Sequence, residues 1–380
     1  MHRSQANFYL SVLVASFGFG MFMYFVPVFA QSFGASFLDL GMIGSANAFA
    51  YALSPMLIGL LSDKCNRAYM LASALILNIL MTVILGLSGS VRDILILWTL
   101  GGVAYGTFWP TADVLATELA ASSDLVREMG SYCIAWGVGL LTGPFVGGYV
   151  VQMFGFTWLF MISSLVLSGA LGMSVLLFAP TYERKTARST LIITTKPRSA
   201  RKAIPLYMIL VFYSVVMGVI DTMLPGYANS EGLMPTMIGV VFTSFGIARV
   251  VMFAIFAMSE EYSQVMVRRA LSIGSATLTL GVLAIPVFPN FVGLLLVAVL
   301  LGGSAGVVYP LTYSLVSVFF PEKKMGSAMG SYETVLGVGF AIGPLIAGLV
   351  AAIVSIQLTF VVTSLFAIPM IMLAMFERTY

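Results

Sequence analysis

From Met129 to Tyr182 the chain runs 54 residues without an Asp, Glu, Lys or Arg, and Ala270–Pro321 and Thr334–Phe376 run 52 and 43 residues in the same way. A water-soluble domain carries roughly 25% charged residues; this chain carries 9%, against 60% hydrophobic. A helix needs about 20 apolar residues to cross a bilayer, so each run is long enough for two crossings. Turn-forming residues sit near the three midpoints, at Gln152–Gly155, Pro286–Asn290 and Ser355–Gln357. The fold class that follows is all-α and embedded in a membrane.

The same rule applied to the rest predicts twelve spans, at 7–31, 39–62, 69–90, 93–119, 130–151, 156–179, 204–228, 235–258, 267–288, 290–319, 327–352 and 356–376. The uncharged opening, Ser4–Leu38, exceeds the roughly 7–15-residue core of a secretion signal and is expected to be the first span. With both termini in the cytoplasm, 16 of the 18 Lys and Arg residues fall in cytoplasmic segments; Arg92 lies outside and Arg249 within a span. Basic residues favour the cytoplasmic side, so the chain is expected to start and end there. That asymmetry also accounts for the net charge of +3 without a nucleic-acid partner. Residues 181–203, with Arg184, Lys185, Arg188, Lys196, Arg198, Arg201 and Lys202, read as a basic cytoplasmic linker that can rest on anionic lipid headgroups. It separates 1–180 from 204–380, six spans on each side.

The two sides share a pattern. Gly130-Ser131-Tyr132, Gly137-Val138-Gly139, Gly143-Pro144 and Gly148 recur 200 positions later as Gly330-Ser331-Tyr332, Gly337-Val338-Gly339, Gly343-Pro344 and Gly348. Gly102, Gly106 and Pro110 likewise match Gly302, Gly306 and Pro310. Two pseudo-symmetric halves in a membrane are a usual build of secondary transporters, with the solute held between them.

Other chemistries find no residues. The only histidine is His2, the two cysteines are Cys65 and Cys133, and there is no P-loop signature. No enzyme activity, cofactor or metal centre is expected, and the energy for transport must come from a gradient or a partner.

At the end of the second span, Gly59-Leu60-Leu61-Ser62-Asp63-Lys64-Cys65-Asn66-Arg67 resembles the loop motif between helices 2 and 3 of the major facilitator superfamily. Gly130-x8-Gly139-x3-Gly143-Pro144-x2-Gly147-Gly148 is similar to that family's helix-5 antiporter motif, and the helix-11 copy differs only in having Ala347 in place of a glycine. The resemblance covers essentially the whole chain and points to the twelve-helix drug and metabolite antiporter branch. It implies alternating access about a central cavity, a small-molecule substrate, proton coupling, a cell-membrane location and a monomer as the working unit. Gly59, Asp63, Lys64 and Arg67 are then gate elements, with Arg67 and Arg127 as partners for Asp63 or Glu118. Helices 5 and 11 border the seam between halves in that family, so Gly143→Val is expected to overcrowd the seam and block rocking. The family's proton-coupled exporters carry an Arg twelve residues before the helix-4 proline; here that position is Trp98, and its counterpart is Ala298.

Four ionisable residues lie inside spans: Asp113, Asp221, Arg249 and Glu333. Such groups are costly in hydrocarbon and mark function by default. At 1.5 Å per residue, Asp113 and Glu333 sit about 10 Å from the cytoplasmic ends of their helices, Arg249 roughly 15 Å and Asp221 about 25 Å. Those depths predict that Arg249 pairs with Glu333 or Asp113, leaving Asp221 as the free carboxylate for a proton or a cation. If helices 1, 4, 7 and 10 line the cavity, as the resemblance implies, Tyr24, Tyr105, Phe108, Trp109, Tyr213, Met217, Tyr309 and Tyr313 face it. An aromatic, methionine-containing space with a few acids suits an amphipathic or cationic compound better than a sugar.

Overall fold

The structure, a computed structural model, describes residues 3–62, 66–119, 125–181, 204–257, 264–319 and 325–376. The linker expected at 181–203 lies outside them but for its first residue, as do Asp63 and Lys64 of the loop motif. The described chain is helical almost throughout. Helix α1 spans Arg3–Phe22, passes through a 3-10 turn at Met23–Phe25 and continues as Val26–Ser32. Pro27 explains the interruption, because it offers no N–H to the carbonyl four residues back. Then follow α2 (Phe37–Ser62), α3 (Arg67–Leu85), α4 (Val91–Leu119), α5 (Leu125–Phe154) and α6 (Phe156–Met173). The second series is α7 (Ile204–Ser230), α8 (Pro235–Ala257), α9 (Gln264–Ala284), α10 (Phe291–Phe319), α11 (Met325–Ile353) and α12 (Ile356–Leu365, resuming at Ile368–Phe376). Among the described residues, nine segments are long and apolar enough to cross a membrane; α2, α4 and α9 are not among the nine.

The turns opposite the termini are built by local chemistry. Ser36 and Asp39 form a capping box at α2, with the Ser36 amide donating to Asp39 Oδ2 at 2.8 Å and the Asp39 amide to Ser36 Oγ at 3.2 Å. Ser90 and Asp93 repeat part of it at α4, where the Asp93 amide donates to Ser90 Oγ at 3.2 Å. Gly34 and Gly232, at φ 85° and 83°, end α1 and α7 in the left-handed conformation that glycine tolerates best. The expected turn at Gln152–Gly155 narrows to Gly155 alone, at φ 85°.

In the first series, α1 packs on α5 and α6, α2 on α4, and α3 on α4 and α6; in the second, α7 packs on α11, α8 on α10, and α9 on α10 and α12. The series meet along α2–α11 and α5–α8. These contacts are reciprocal. Residues 198 apart in sequence, Gln31 and Asn229, bond to each other, Asn229 Nδ2 donating to Gln31 Oε1 at 2.9 Å. Tyr24 stacks on Phe242 with centroids 4.0 Å apart, and the equivalents of those two residues, Thr222 and Gly44, touch on the other side. The pattern is that of a twofold axis passing near Gln31 and Asn229. On the outside, Leu80, Leu165, Leu176, Ile273, Leu280, Leu296 and Ile353 are exposed, an apolar surface that only lipid solvates without penalty.

Candidate functional site

The glycine-proline signature places α5 and α11 each between two neighbours. A Cβ on Gly139 would meet Leu13 O and Ser16, one on Gly143 would lie 2.5 Å from Gly20 C, and one on Gly147 would meet Met21 O. All three therefore face α1, within the first series. Gly148, one residue further round the helix, meets Pro235 of α8 instead. The second copy repeats this: Gly339 and Gly343 face Ser214 and Val215 of α7, while Gly348 faces Gly41 of α2. Helices α5 and α11 border the seam as expected, but Gly143, expected to overcrowd it as Val, faces α1 instead. Residues at four-residue spacing share one helix face, and that face is already taken by α1 or α7. Pro144 and Pro344 remove the donors that would bond Leu140 O and Phe340 O. Those carbonyls lie opposite Gly20 and Gly218, where an added Cβ would stand 2.9 Å and 3.0 Å from them. Gly59, Gly130 and Gly330 lie on helices but outside the residues whose surroundings are described.

The end opposite the termini is sealed between the two series. Gln31 Nε2 donates to Gly226 O at 3.1 Å, Thr236 Oγ1 donates to Gln152 Oε1 at 2.5 Å, and Gly41 and Gly348 lie in backbone contact. Deeper, an aromatic chain crosses the molecule. Tyr51, Tyr105, Trp109, Trp136, Phe253 and Tyr309 follow one another with centroids 5.7–6.4 Å apart. The crossing between series falls at Trp136 and Phe253, 5.9 Å apart. Tyr105, Trp109 and Tyr309 are part-exposed, whereas Tyr24, Tyr213 and Met217 are buried; Tyr313 lies outside the residues whose surroundings are described.

The four intramembrane charges separate into two groups. Asp113 accepts a hydrogen bond from Tyr132 Oη at 2.7 Å, and Glu333 accepts one from Tyr51 Oη at 3.0 Å. Glu333, on α11, also lies within electrostatic range of Asp113, on α4, so two acids from opposite series repel each other. Arg249 pairs with neither, contrary to expectation. Its guanidinium lies over the rings of Trp136 and Phe253, with Cζ 5.1 Å and 5.5 Å from their centroids. Stacking satisfies the cation through the ring quadrupole without a carboxylate. Asp221 accepts no hydrogen bond and joins no ion pair among the described residues, although Arg249 is within electrostatic range. Tyr24, Tyr105 and Tyr213 are within range of both charges.

Sequence reading missed Tyr51, Tyr132, Trp136, Phe242 and Phe253. Two of them carried a signal: Phe242 and Phe253 fall on the same face of α8 as Arg249, at seven- and four-residue spacing. At the gate motif, Arg67 pairs with Glu118, as expected, and Asn66 caps α3 by accepting from the Ala68 amide at 2.9 Å. That ion pair ties α3 to α4 and does not bridge the series. Trp98, where the exporters' Arg was sought, packs edge-on against Phe22 at 6.0 Å and lines a cavity of about 70 Å³ within the first series.

An apolar exterior, two helical series joined by reciprocal seams, and a charged aromatic interior between them define an integral membrane protein of the two-halved carrier architecture. The chain belongs to the Major Facilitator Superfamily, whose family model matches residues 8–260 and again 206–380. Relatives include the "Probable hexose phosphate transport protein" of Chlamydia pneumoniae, 28% identical over 138 residues, covering 35% of this chain and 30% of that protein. The "Putative multidrug resistance protein MdtD" of Escherichia coli K12 is 27% identical over 164 residues, covering 43% of this chain and 34% of that protein. The matched stretch thus spans about a third of each relative's length. Among solved structures, the human organic anion transporter MFSD10 superposes with a TM-score of 0.71 at 17% identity, covering 98% of this chain and 99% of that one.

Proposed function

We propose that the protein is a secondary transporter that moves a small organic solute by alternating access, and that it exports amphipathic or cationic compounds against proton entry. Its halves, 1–180 and 204–380, rock as two bodies joined by the basic linker 181–203, both termini are cytoplasmic, and the monomer in the cell membrane is the working unit. The observation that carries this reading is the sealed end: it is closed by contacts between the series, above an interior that holds a carboxylate, Asp221, with no hydrogen-bond or ion-pair partner among the described residues. Family membership supports a transporter, and the multidrug-resistance relative supports export. In this reading Asp221 is the coupling carboxylate, since Asp113 and Glu333 already hold phenol hydroxyls. Burial in a medium of low dielectric makes any carboxylate easier to protonate, which suits uptake and release of a proton.

Uptake of a small metabolite is a second reading, favoured by Trp98 at the position where the exporters carry Arg and by the hexose-phosphate relative. A non-transporting membrane sensor is the third. The test uses proteoliposomes loaded with a pH dye and challenged with cationic and neutral amphiphiles, wild type beside Asp221→Asn. Export coupled to protons requires substrate-triggered acid movement that Asp221→Asn abolishes. Solute flux without proton movement removes Asp221 from coupling, and binding without flux favours the sensor.

A further inference from the structure

Arg249 and Asp221 carry opposite charges in one space and yet do not pair. By helical rise, Asp221 lies nine residues from the sealed end of α7, and Arg249 lies fourteen residues from the corresponding end of α8. Their depths are thus roughly 14 Å and 21 Å, a difference of roughly 7 Å. Their charged groups act on each other electrostatically yet form no ion pair within 4.0 Å, so the ammonium and carboxylate of one small molecule can stand between them. The guanidinium stands over the rings of Trp136 and Phe253, Cζ 5.1 Å and 5.5 Å from their centroids, and forms no ion pair with a carboxylate among the described residues, so its charge is available to a ligand's carboxylate. Asp221, alone of the three intramembrane acids, accepts no hydrogen bond among the described residues. Tyr105 and Tyr213 stand within range of both charges and offer aromatic walls. Two part-exposed, unpaired, opposite charges with aromatic rings beside the cation match a solute that carries both complements.

We infer that the site takes a zwitterion with an aromatic body, its carboxylate on Arg249 and its ammonium on Asp221. This rests on the transporter reading and narrows its substrate class. The test is equilibrium binding to the purified full-length protein in lipid nanodiscs, with three compounds that share one phenol body: tyrosine, tyramine, which lacks the carboxylate, and 4-hydroxyphenylpropionate, which lacks the ammonium. Wild type should bind tyrosine about 10- to 100-fold more tightly than either single-charge compound, the range expected when one charged hydrogen-bonding partner is lost. Arg249→Gln should bring tyrosine down to the level of tyramine, and Asp221→Asn should bring it down to that of 4-hydroxyphenylpropionate. These are ratios within one variant, so partial loss of folded protein does not mimic them. Arg249→Lys, which keeps the charge, should keep most of the tyrosine preference. Equal binding of the three compounds by wild type, no binding of any, or unchanged ratios in both variants would overturn the inference. Should the amphiphile panel still show flux in that event, the transporter reading survives. Absence of all flux beside an intact tyrosine preference would instead defeat the transporter reading alone.

Discussion

Asp113 and Glu333 differ from Asp221 in one respect that matters chemically: each already accepts a phenol proton donor. Removing the donor leaves a part-buried acceptor unsatisfied, at a cost of about 1 kcal/mol. Tyr132→Phe and Tyr51→Phe should therefore lower thermal stability by amounts of that order. Melting temperatures in detergent check it, and unchanged values would mean these bonds hold nothing together. Glu333→Gln carries a second expectation, since it removes the repulsion between two acids of opposite series. It should favour closure at the end nearer the termini, read as slower labelling of a cysteine placed in the cavity. At this scale the sequence was partly legible. Counting residues separated Asp221 from the other acids, because rise per residue is fixed. The same count assigned Arg249 a carboxylate partner and failed, because depth carries no information about which way a helix is turned. Nor could it reveal that Trp136 and Phe253 would receive the cation.

Helices α5 and α11 present two working faces about 100° or more apart, and the glycines divide between them. Gly143→Val should force α5 away from the α1 backbone and destabilise the fold by about 1–3 kcal/mol, the usual cost of overpacking. Gly148→Val acts on Pro235 of α8 and should loosen the sealed end instead. Spin labels at positions 33 and 231, both exposed beside that end, report the difference as a longer distance in Gly148→Val and little change in Gly143→Val. Lengthening in both variants, or in neither, would contradict the division of faces. The motif announced close-packed helices, since small residues let backbones approach in lipid, where no hydrophobic force drives helices together. It could not name the neighbour on each face. Gly139, Gly143 and Gly147 share a face by spacing alone, but whether α1 or α8 fills it is decided by the tertiary arrangement.

The whole molecule was the most legible level, because a repeat of 200 residues constrains everything built on it. Helix order, the turns in the three uncharged runs and the pairing of two series were all readable. Reciprocity was not, since it needs residues 198 apart, such as Gln31 and Asn229, to meet across an axis that sequence does not show. Asn229→Ala should weaken the closed arrangement by about 0.5–1.5 kcal/mol, the net value of a typical hydrogen bond. The same label pair would show it as a larger open population. The groups that close this end, Gln31, Asn229, Gln152 and Thr236, bear no formal charge. Parting them carries no charge through the membrane potential, in which each elementary charge moved across is worth about 2.3 kcal/mol per 100 mV. In the proposed transport cycle opening is then electrically silent, and any voltage dependence of turnover would enter through Asp221, Arg249 and what they hold. A bound zwitterion leaves that step as neutral as the empty one, while a bound cation makes the same motion a current.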